Sequence, residues 1–459
     1  MNRKLSFPPD DDFNDTVKRY ENFLTGTATG YFDVEELETI VDYYLRKGRT
    51  KDGAKALELG LQLHPQSAAL QTKRAKIYLA VGDFKKAFRL LDSLAENDDY
   101  ELQLLKIEAL IKLSREKEAQ LLCNSLIKNA NDDIDNVCLD IAYIYFGLLN
   151  FETSLIYLLK GDEFNKKNID LLFELAFCYE QIAENEKAIE AYNRIIDVDP
   201  FMPEAWFNLG QMYFSIPDYN NALNAYEFSL SLNEHDSLAN LQKAHTHFQL
   251  GQYEKAIQGY KEFEKYAFEA WQAKLFIGES YEKMEKFDVA VDYYKQALLI
   301  NPDNFDALTG IGICYLEQEK YALSIEFINK AIEINDEASE AWVYLAEGLI
   351  GVNDNENALQ AYLKSISIDP EQPDTIMAIA NIYMDKDEHQ TALMYYLAAY
   401  EMDNTLEYID LFTAAAFFKI KNFTAAKVYL KKATDQNLDA PKLFLEICPE
   451  AVNSHFFKK

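Results

Sequence analysis

From Pro203 onward the apolar side chains fall at Trp206, Leu209, Gly210 and Tyr213, the i, i+3, i+4, i+7 spacing of one helical face. A break at Ile216 to Asp218 follows, and then Tyr219, Ala222, Tyr226 and Ser229 mark a second face of the same period. This predicts two short helices joined by a tight turn. The pair recurs. Counting from Val41 in steps of about 34 residues, one position holds Ala75, Ala109, Ala142, Ala176, Gly210, Ala244, Gly278, Gly312, Ala346, Ala380 and Ala414. A second position reads Gly53, Ala87, Ser154, Ala188, Ala222, Ala256, Ala290, Ser324, Ala358, Ala392 and Ala426. Small side chains at both positions let neighbouring helices approach closely.

Stops keep the same register. Pro65, Pro200, Pro302 and Pro370 all stand just beyond a second helix, where a missing N–H and a clash with the preceding turn end it. Aromatics such as Tyr179, Tyr213 and Tyr281 on first helices, and Tyr192, Tyr226 and Tyr260 on second helices, fill the remaining contact positions. The expected class is all-α, an α-solenoid in which each hairpin contacts only its neighbours.

The pattern resembles the tetratricopeptide repeat family, on Trp206, Leu209, Gly210, Tyr213, Ala222, Tyr226 and Ser229 in one unit and Trp342, Leu345, Ala346, Ala358, Tyr362 and Pro370 in another. The resemblance implies a right-handed superhelix of about twelve hairpins whose first helices line a concave groove that binds peptides or protein segments. Units are expected near Val34, Ala68, Leu102, Asp135, Ile169, Pro203, Ser237, Trp271, Phe305, Ser339, Pro373 and Glu407, within residues 34–440. Residues 1–33 are expected to form a capping helix, with Phe13, Val17, Tyr20 and Leu24 on one face, and a flexible tether from Thr25 to Gly30. Residues 441–459 are expected to close the array through Leu443, Phe444, Ile447, Val452, Phe456 and Phe457, with a homodimer contact as the alternative for this C-terminal segment. One unit is irregular: the small residues Ala109 and Ala119 stand ten apart instead of twelve, which predicts a shortened turn near Ser114 and Arg115.

Composition narrows the partners. Against 45 Lys and Arg stand 76 Asp and Glu, a formal charge of −31. Binding to nucleic acid or to anionic membrane needs basic side chains against phosphate, so neither is expected. Apolar or cationic protein partners are expected rather than acidic ones. Five scattered cysteines without a CxxC pair read as small core residues of a reducing compartment. No apolar core precedes Asp10, Asp11 and Asp12, and no apolar run is long enough for a bilayer, so the cytoplasm is the expected location. No enzyme, cofactor or metal is expected. His245 and His247 stand two apart on different helical faces, and Gly310 to Ile313 lacks the strand that a nucleotide loop requires.

If first helices line the groove, their second, fifth, ninth and twelfth positions face it. From the fourth to the seventh unit these include Tyr143, Phe146, Phe173, Phe177, Phe207, Gln211, Phe214, His245 and Phe248, a stripe of aromatic anchors for a partner segment. A secondary basic cluster, Lys73, Lys76 and Lys106, lies nearer the amino end. The family's clamp for a terminal carboxylate is not matched, because Thr72 and Lys76 stand where that clamp places Lys and Asn. The functional expectation is a protein-interaction scaffold, with a regulatory or structural subunit of an obligate assembly as the alternative.

Overall fold

The computed structural model describes residues 11–26, 30–94, 99–266 and 270–452. Among these, all regular structure is helical and there is no strand. The chain forms two units, residues 1–212 and 213–459.

The first unit holds α1 (Asp11–Leu24), α2 (Val34–Arg46), α3 (Thr50–Leu63), α4 (Ala68–Ala80), α5 (Phe84–Ser93), α6 (Tyr100–Lys112), α7 (Glu116–Asn129), α8 (Ile134–Phe146), α9 (Phe151–Phe164), α10 (Ile169–Gln181) and α11 (Asn185–Val198). Helix α12 (Pro203–Ser215) runs on into the second unit. There follow α13 (Tyr219–Leu232), α14 (Ser237–Gln249), α15 (Tyr253–Tyr266), α16 (Ala270–Lys283), α17 (Phe287–Ile300), α18 (Phe305–Glu317), α19 (Tyr321–Ile334), α20 (Ser339–Gly351), α21 (Asn355–Ile368), α22 (Pro373–Asp385), α23 (His389–Met402), α24 (Ile409–Lys419), α25 (Phe423–Gln436) and α26 (Ala440–Ile447).

Local chemistry sets these boundaries. Asp33 and Glu36 form a capping box at α2, and Ser67, Asp99 and Asn168 accept first-turn amides at α4, α6 and α10. Asp236 and Asn304 do the same for α14 and α18. Most first helices end in a three-residue turn with a left-handed residue, such as Gly48, Gly82 or Gly251, and the chain reverses there. Within each unit, helices pack in chain order, and first helices also touch the next first helix, as α2 does with α4 and α16 with α18. That is the solenoid arrangement.

Small residues sit where helices press closest. A Cβ on Gly310 would lie 2.5 Å from Cζ of Tyr294, and one on Gly278 would lie 2.7 Å from its Cδ1. The buried Tyr294 ring thus occupies space that two missing side chains leave free. The five cysteines are buried and free.

Three expectations need correction. The turn between α6 and α7 is Leu113 to Arg115, as long as its counterparts, so it is not shortened. The lost residues lie upstream, where α5 has ten residues against fourteen in the other second helices. Ile107, fully buried, stands twelve before Ala119 and takes the small position assigned to Ala109. At the amino end Val17 and Tyr20 are buried, but Leu24 is 56% exposed, and Phe23 packs on Phe32 in its place. Helix α26 buries Phe444 against Phe418, whereas Val452 is exposed. The Phe13 side chain, residues 27–29 of the tether, and Phe456 and Phe457 lie outside the described residues.

Candidate functional site

In the first unit, Tyr143 is the most exposed of the aromatic candidates, at 37%. Its hydroxyl donates to Glu174 at 3.3 Å. Phe146, one turn on, and Phe177 on α10 are half-buried, with ring centroids 5.7 Å apart, and Phe151 joins both at about 6 Å. Phe173 meets Tyr192 edge-on, and Phe207 and Gln211 are half-buried on α12.

In the second unit, Phe214 packs on Tyr219 and Phe248 on Tyr253, both at 5.4 Å. These pairs and Phe146 with Phe151 are the same i, i+5 contact, in which the end of a first helix meets the start of the second. The twelfth position therefore also closes the hairpin, and only part of each ring remains for a partner. His245 Nδ1 lies 2.8 Å from Tyr260 Oη, and its ring stands edge-on to Phe276 at 4.6 Å. Burial pushes this imidazole down to about 4.

The basic cluster is internally compensated. Lys73 is buried and lies 2.7 Å from Asp42, Lys76 pairs with Glu101, and Lys106 lies 2.6 Å from Asp92.

Beyond the seventh hairpin, five of the twelve corresponding positions on α16, α18 and α20 are acidic. Glu279 and Glu282 stand on α16, Asp306 on α18, and Glu340 and Glu347 on α20. Burial pushes Glu279 up to about 7, with Glu282 and Asp306 adding like charge. Tyr344 is raised by burial first, then by the like charge of Glu347, Glu282 and Glu340. None of the five forms an ion pair among the described residues. By contrast, the buried Asp162 of the first unit is held by Arg194 and by Lys166 at 2.9 Å, a structural pairing. Among the described residues no group of three or more His, Cys, Asp or Glu could hold a metal, and no helix is long and apolar enough to cross a membrane.

Family models described as tetratricopeptide repeat match residues 180–230 and 277–340, and residues 238–267 and 373–406. Those matches fall on the helices from α11 to α19 and on the hairpin α22–α23. The chain is a tetratricopeptide repeat protein. This repeat suits a protein-interaction scaffold, and proteins built from it are generally not catalytic. No curated protein matches the sequence. Among solved structures, this tetratricopeptide repeat chain is similar to one in the APC/C hetero-tetramer Cut9–Hcn1, at 14% identity over 90% of this chain and 97% of that one, TM-score 0.42. A tetratricopeptide repeat protein from Parabacteroides merdae is 18% identical over 54% of this chain and 98% of its own, TM-score 0.45. YrrB, described as having an unusual peptide-binding site, is 18% identical over 40% and 94%, TM-score 0.33.

Proposed function

We propose that this protein is a scaffold that holds a peptide or protein segment along its first helices, with aromatic anchors in the fourth to seventh hairpins. Tyr143 carries this reading, because a large aromatic ring is 37% exposed at a position that recurs on every first helix. In the first unit Phe146, Phe173, Phe177, Phe207 and Gln211 supply further contacts; in the second, Phe214, His245 and Phe248 stand at the equivalent positions. The exposed carboxylates without an ion pair, Asp306, Glu340 and Glu347, favour Lys or Arg in the bound segment, as charge complementarity requires. The paired Lys73, Lys76 and Lys106 favour no acidic segment.

Phe177→Ala together with Phe214→Ala tests the reading. Both rings are half-buried, so the array keeps its helicity while partner capture is lost. Capture that survives unchanged in a folded double variant removes the aromatic site.

A further inference from the structure

The sixth residue of every second helix is exposed, from Lys55 on α3 to Val428 on α25. In eight of the twelve it is polar or charged: Lys55, Arg89, Glu190, Asn224, Gln258, Asp292, Glu326 and Gln360. Packing therefore makes no demand for an apolar side chain there. In the first unit, however, α7 and α9, the second helices of successive hairpins, place Leu121 and Ile156 at this position, 70% and 64% exposed, with Leu159, 40% exposed, one turn beyond Ile156.

At two offsets the charges flanking these residues are opposite, although Lys160 on α9 and Glu116 and Glu118 on α7 break the pattern elsewhere. Four residues before and seven after Leu121 stand Lys117 and Lys128; at the same offsets from Ile156 stand Glu152 and Glu163. All four are exposed, and none forms an ion pair among the described residues. No other second helix carries Lys at both positions.

We propose that this face binds a second copy of the chain. Second helices of successive hairpins point the same way, so a two-fold axis parallel to α7 and α9 and between them lays α7 of each copy on α9 of the other. Leu121 then meets Ile156 twice, and Lys117 and Lys128 meet Glu152 and Glu163 twice. The alternative two-fold, across the helices, sets Lys against Lys and Glu against Glu. Charge thus selects one self-complementary register, in a molecule whose overall charge of −31 opposes most other self-contacts. Met394 and Val428 in the second unit form a similar exposed pair, but Gln390, Glu401, Thr424 and Asp435 at the flanking positions carry no opposite charge, so they select nothing.

Light scattering on the full chain measures the outcome. The wild type is expected to be a dimer. Leu121→Gln with Ile156→Gln places at this position what other hairpins already tolerate, so the fold is kept and self-association weakens by about tenfold or more. A chain carrying Lys117→Glu and Lys128→Glu is expected to be monomeric, as is one carrying Glu152→Lys and Glu163→Lys; mixed in equal amounts, the two form a heterodimer. A monomeric wild type overturns the proposal, as does a dimer indifferent to the glutamine pair or a mixture of charge-reversed chains that stays monomeric.

Discussion

Glu279 and His245 respond to acid in opposite senses, and both do so because burial strips their water. Glu279 holds its proton to about 7, above its ordinary value of 4.5, so it costs stability as pH rises from 4.5 through 7, and that cost persists above. Glu279→Gln should therefore melt higher than the wild type at alkaline pH and level with it below about pH 4. His245, held near 4 against an ordinary 6.5, contributes stability that is present above 6.5 and lost as pH falls toward 4. His245→Gln should flatten that part of the melting profile. Gly310→Ala drives a methyl group against the buried Tyr294 ring and should lower stability by about 1–3 kcal/mol in denaturant titration. The need for a small residue at Gly312 was legible from its recurrence alone. The perturbation of Glu279 was not, because it depends first on burial in the folded array and then on Glu282 and Asp306, and Asp306 belongs to another helix.

At the scale of elements, the hairpins were legible because each repeats its apolar spacing, its small positions and its stop. A single unit would have been ambiguous; Gly278, Gly312 and Ala346 in one register are not. The irregular unit was misplaced for a physical reason. Ala109 is small and fully buried, so it mimicked the recurring position, while the true occupant, Ile107, is large. The role of the twelfth-position aromatics in closing the hairpin was hidden, since it is a contact with residues five further on, as Phe146 makes with Phe151. The last helix gives a direct test of the closing role. Phe444 is fully buried beside Phe418, and Phe444→Ala should destabilise the second unit by about 3–5 kcal/mol, read as an earlier thermal transition.

At the scale of the molecule, the proposal of a cationic segment rests on 76 acidic residues against 45 basic ones and on the carboxylates without ion pairs on α16, α18 and α20. Binding that depends on the exposed Asp306, Glu340 and Glu347 should weaken as salt rises, because exposed charges are screened within about 10 Å at 0.1 M. Selection of binders to the intact chain from a random peptide display library tests the central claim most directly. Enriched sequences should combine Lys or Arg with aromatic or aliphatic residues, and enrichment should vanish on the Phe177→Ala, Phe214→Ala variant. Enrichment of acidic peptides, or selection that survives loss of both rings, would contradict the account.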